Sequence, residues 1–134
     1  MPQVLRIASE LNHRYGMYSE FSPLHGILAT EKNHPTAYND AGIKDFWSKT
    51  PQCERCEWFF GFASVNQLFS WVNCDDAWEC ISELDQLVYV YDVEERHLLR
   101  GNSQCLFMLH EYAPTKSYRI DVFRGLFEPL EKVA

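Results

Sequence analysis

Between residues 12 and 57 a proline or glycine interrupts every candidate period, with Pro23, Gly26, Pro35, Gly42 and Pro51 set too close together for long regular elements. Regular structure is therefore confined to one strand before this region, a helical piece near Ile43 to Trp47, and the second half of the chain. Irregular regions of that length are uncommon inside compact domains, and those that occur tend to bind or cover something. The region is also rich in Asn, His, Ser and Thr. Selection of a substrate or partner is assigned to it.

The flanking segments read more simply. Gln3 to Ala8 is a strand in which Val4, Leu5 and Ile7 surround Arg6. Trp58 to Ala63 is an aromatic run around Gly61, suited to a strand whose glycine lets another backbone come close. Ser64 follows, with Gln67 three residues on and Leu68, Trp71 and Val72 at helical spacing, which is the pattern of a capping box. Asp75 or Asp76 caps a second helix that ends before Gln86, with Trp78, Ile81 and Leu84 facing inward. Leu87 to Val93 suits a strand buried on both faces. Arg100-Gly101-Asn102 is a turn, Gln104 to Leu109 a further strand, and Tyr118 to Phe123 another, with Tyr118, Ile120 and Val122 on one side. Strands around a single helical pair, without regular strand-helix alternation, predict one α+β domain over residues 1–134.

Composition excludes several classes. The chain has 134 residues, 46% of them hydrophobic, enough for a core without disulfide or metal staples. No apolar run approaches the roughly 20 residues that cross a bilayer, so no membrane association is expected. The amino terminus lacks a basic flank followed by an apolar block, which predicts a cytoplasmic protein with reduced thiols. A net charge of −7 without a cluster of Lys and Arg argues against nucleic acid as a partner. Cys53 and Cys56 have the spacing that grips zinc at a turn, but a second pair is missing, and His25 or His34 would have to complete the set. No metal is expected. The histidines at 13, 25, 34, 97 and 110 form neither H-x-x-x-H nor H-E-x-x-H, and there is no nucleophile elbow or phosphate loop.

One ordered set remains: Arg6 in the first strand, Phe62-Ala63-Ser64 where a strand enters a helix, and Gln104-Cys105-Leu106-Phe107. This order resembles the mono-ADP-ribosyltransferase family of the arginine-serine-glutamate type, whose third motif is a glutamate followed by two apolar residues and a phenylalanine. The leading Arg strand, His34-Pro35, Asp40-x-Gly42, Phe60-Gly61-Phe62-x-Ser64 and Gly101-x-x-Gln104 also look like uncharacterised bacteriophage proteins. The first resemblance implies an ADP-ribosyltransferase-like split, mostly antiparallel sheet with short helices, and NAD as substrate. It implies that Arg6 meets the phosphates, Ser64 shapes the ribose pocket, and Gln104 stands where a carboxylate stabilises the cationic sugar. An aromatic such as Phe62, Tyr18 or Trp71 would stack on the nicotinamide. A carboxamide keeps the hydrogen bonds and loses the charge, so the expected behaviour is binding of NAD or ADP-ribose with weak transfer or none. Ordinary roles are open beside these: Arg6 in a salt bridge, Ser64 only as a cap, Gln104 as an edge-strand polar residue. The alternative function is a non-enzymatic inhibitor or adaptor that binds a bacterial host protein through an acidic, aromatic surface.

Overall fold

The computed structural model describes residues 1–9, 42–51, 54, 57–84 and 86–128. Tyr18, Cys53, Cys56, His25, His34 and most of the 12–57 region lie outside the described residues. In chain order the elements are β1 (Gln3–Ser9), α1 (Lys44–Lys49), β2 (Phe59–Gly61), α2 (Val65–Trp71), α3 (Asp75–Glu83), β3 (Gln86–Asp92), β4 (Leu98–Arg100), β5 (Cys105–Phe107), β6 (Lys116–Arg119) and α4 (Ile120–Phe127). They form two three-stranded antiparallel sheets, ordered β1-β3-β6 and β2-β5-β4, with short helices. This is a small α+β fold with a divided sheet. No described helix is long and apolar enough to cross a membrane.

A backbone bridge joins the two sheets. Leu5 and Phe62 exchange both backbone hydrogen bonds, at 2.8 and 2.7 Å. Beside them Gly61 carries the close approach that its place in an aromatic run suggested: a Cβ there would lie 2.7 Å from Val4 Cγ1 and 2.9 Å from the Leu5 carbonyl oxygen. Any larger residue would push β2 away from β1.

Strand alternation then divides the core. Leu5 and Ile7 face the helices, packing with Trp71, Trp78 and Phe123, while Val4 and Ala8 face the other way with Tyr91 and Phe107. Both faces of β3 are covered, as its continuous apolar run requires.

Four expectations need correction. The stretch from Tyr118 to Phe123 is not one strand, because the chain turns helical at Ile120. Ile120, Phe123 and Phe127 repeat at helical spacing; Ile120 and Phe123 are buried, and the Phe123 ring stacks on Phe69 with centroids 5.7 Å apart. The N-cap of α3 is Cys74, with Asp75 and Asp76 in the first turn, where carboxylates meet the exposed N–H groups. Leu84 follows the last turn of α3 and is exposed. The strand expected over Gln104 to Leu109 is shorter, since Gln104 precedes β5 and Leu109 begins a 3₁₀ turn.

Candidate functional site

Arg6 leaves β1 on the Val4 and Ala8 face and is 2% exposed. Its Nη1 donates to the Phe60 carbonyl at 2.6 Å, and its guanidinium carbon lies 5.3 Å from the ring centroids of both Phe59 and Phe60. Burial lowers its pKa to about 10, a drop partly opposed by Tyr91. Tyr91 is itself pushed up to about 12 by burial. Here the guanidinium acts as a clamp between β1 and β2.

Ser64 occupies the other side. Its hydroxyl accepts from the Gln67 backbone N–H at 3.1 Å, the expected cap of α2. The box closes in an unusual way, because Gln67 Oε1 accepts from the N–H of Ala63, one residue before the cap, at 2.9 Å. Ser64 rims a groove of about 290 Å³ whose lining includes Gln3, Leu5, Val90, Lys116 and Phe127. Leu5 points away from Arg6, so the groove and the guanidinium lie on opposite faces of β1. Among the described residues, those lining this groove include Ser64 and not Arg6.

Gln104 is buried, and its carbonyl accepts from the Gly101 N–H at 2.8 Å to close the turn into β5. Gln67 Nε2 reaches the Gly101 and Asn102 carbonyls, both at 3.3 Å, and so links the cap of α2 to the turn that holds Gln104. Ser64 and Gln104 are thus brought into one neighbourhood through a residue to which only a capping role had been assigned. Phe62 and Trp71 are core residues, packed edge to face with centroids 5.7 Å apart. Neither presents an open face for stacking.

A polar cluster at the start of β4 was not anticipated. Tyr112 Oη accepts from the Glu94 N–H at 3.0 Å and lies 2.6 Å from His97 Nδ1. Arg96 bonds Glu94 at 2.7 Å, and Arg100 bonds Glu95 through two contacts at 2.7 and 3.0 Å. Both carboxyls are held below their usual range by these arginine hydrogen bonds. The run Glu94-Glu95-Arg96-His97 was the signal available, though not its partner Tyr112. Among the described residues no three His, Cys, Asp or Glu side chains gather as a metal site.

With this geometry in place, comparison with known families finds that the family model described as Bacteriophage T4 Y00F protein fits residues 1–121. The chain belongs to the bacteriophage T4 Y00F family. Neither a curated protein nor a solved structure matches it. Membership establishes the phage origin that the sequence resemblance suggested. The family match runs from the first strand through β6 into the first turn of α4, and so spans both sheets.

Proposed function

We propose that this Y00F-family protein acts by binding a protein of the infected bacterium, without consuming NAD. The observation behind this reading is the position of Arg6. An ADP-ribosyltransferase-like reading needs a cation that meets the dinucleotide phosphates beside the ribose-binding hydroxyl. Arg6 instead sits 2% exposed between Phe59 and Phe60, across β1 from the groove that Ser64 rims. The hydroxyl of Ser64 caps a helix, and Gln104 contributes a turn. These contacts support a structural reading of Arg6 and Ser64.

The test has two arms. Calorimetry with NAD and with ADP-ribose should give no binding heat, and Gln104→Glu should not create NAD cleavage. Affinity capture of the full chain from a host lysate should return one stoichiometric bacterial protein. Saturable NAD binding that Arg6→Lys abolishes, together with an empty capture, would return the case to the dinucleotide reading.

A further inference from the structure

The groove that Ser64 rims lies over one row of the first sheet. Leu5, Val90 and Lys116 are in register across β1, β3 and β6, and their side chains share the helix side with the next row, Ile7, Val88 and Tyr118. Leu5 and Val90 give the groove an apolar base. Tyr118, Phe123 and Phe127 line it as one aromatic cluster, with the Phe123 and Phe127 centroids 4.8 Å apart and Tyr118 edge to face with Phe127 at 5.7 Å. Phe127 keeps 38% of its surface open. A concave site that is mostly apolar, with a few polar side chains among its lining, is the usual make-up of a small-molecule pocket.

The polar lining is made of donors. Arg96, Arg100, Arg119 and Arg124 are each held by a carboxylate, whereas Lys116 has no ion-pair partner among the described residues. Asp92, on the same side of β3 as Val90, takes the Gln3 amide at 3.5 Å instead. Ser64 accepts from the Gln67 N–H and keeps its own hydroxyl proton to give. One ammonium and one hydroxyl beside an apolar hollow suit a singly charged group with two oxygens. Phosphates are ordinarily met by several N–H donors or by an arginine fork, and a chain at −7 repels multiply charged anions on average.

We propose that this groove binds a small monocarboxylate with a flat apolar body. The carboxylate meets Lys116 and the Ser64 hydroxyl, and the body packs against Tyr118, Phe123 and Phe127, where an aromatic ring finds offset and edge-to-face partners. A volume of about 290 Å³ filled at the density of organic crystals holds roughly ten to fifteen non-hydrogen atoms. That is the size of an arylalkanoate and far short of a dinucleotide. The site goes beyond the protein-binding reading and does not depend on it.

The experiment titrates the full chain, labelled with nitrogen-15, with 4-phenylbutyrate, with the uncharged 4-phenylbutanol, and with a short peptide ending in a free phenylalanine carboxylate. The expected result is saturable movement of the Val65, Val90, Lys116 and Tyr118 amide signals by 4-phenylbutyrate, with a Kd of about 1 mM or tighter. The alcohol should bind about tenfold more weakly, the scale of losing a hydrogen bond to a charged group. Lys116→Met, which keeps most of the apolar stem, should weaken the acid by a similar factor, and Lys116→Arg should restore most of it. Thermal midpoints of both variants separate lost binding from unfolding. Equal binding of acid and alcohol, signals that move only away from the groove, or no saturation by about 10 mM would each overturn the proposal. A peptide that binds about tenfold more tightly than 4-phenylbutyrate would also overturn it, and would make the groove the seat of a protein's carboxyl terminus.

Discussion

At the scale of the residue, Arg6 shows how burial changes the work a side chain does. Its charge is out of water, its Nη1 holds the Phe60 carbonyl at 2.6 Å, and the rings of Phe59 and Phe60 lie against its guanidinium. Arg6→Met keeps most of the apolar stem and leaves that carbonyl without its donor, so urea unfolding should show a loss of about 1–3 kcal/mol. No change in NAD affinity should accompany it. Alkaline pH offers a second test. The Cys105 thiol is pushed up from 9.0 to about 12 by burial, and Tyr91 from 10.0 to about 12. A raised folded pKa means that the unfolded chain gives up its proton first, so stability is full below about pH 9 and falls as the pH rises toward 12. Arg6, whose folded pKa is lowered to about 10, acts in the opposite direction only above that value. Cys105 is therefore the first of these three groups to act, and melting from about pH 8 to about pH 10 should show a falling midpoint that Cys105→Ala flattens. The Ser64 cap could be read from the sequence because both partners lie within four residues. The face from which Arg6 leaves β1 could not, because it depends on which distant strands cover each side.

At the scale of the element, reliability followed the range of the interactions that decide each boundary. α2 and α3 were legible from local signals: the Ser64 to Gln67 spacing, and inward apolar positions at Trp78 and Ile81. α4 was not, because Tyr118, Ile120 and Val122 also satisfy the two-residue period of a strand. Packing of Ile120 and Phe123 against the helices decides for the helix and leaves Val122 outside. Gly125 within α4 gives a prediction with an unusual sign. Alanine there meets open space and improves helix propensity, so Gly125→Ala should stabilise the protein by about 0.8–1.0 kcal/mol in a urea titration. A stabilised variant that also binds its partner less well would show that the glycine serves something other than the fold.

At the scale of the whole molecule, the fold depends on how two small sheets are joined. The register of β1 against β3 pairs Gln3 with Asp92, and among the described residues the backbone of the second sheet's side meets β1 at Leu5 and Phe62. Neither pairing has a local signature, so the sequence reading named most of the strands without ordering them. What it did contain was Gly61 in the middle of the aromatic run, which marked the junction before any partner was known. Because β1 contributes to the helix-side core through Leu5 and Ile7 and to the opposite core through Val4 and Ala8, disturbing this junction should affect both cores together. Gly61→Ala sets a methyl group 2.7 Å from Val4 Cγ1 and 2.9 Å from the Leu5 oxygen, and a backbone carbonyl in a hydrogen-bonded pair has little room to yield. Overpacking of this kind costs about 1–3 kcal/mol. The same substitution that stabilises at position 125 should thus destabilise at position 61. Fluorescence of Trp71 and Trp78, which report on the helix-side core, should shift to lower urea in step with far-ultraviolet circular dichroism, which reports on both sheets. Separate transitions for the two signals would mean that the sheets unfold independently and that the Leu5 to Phe62 bridge does not couple them.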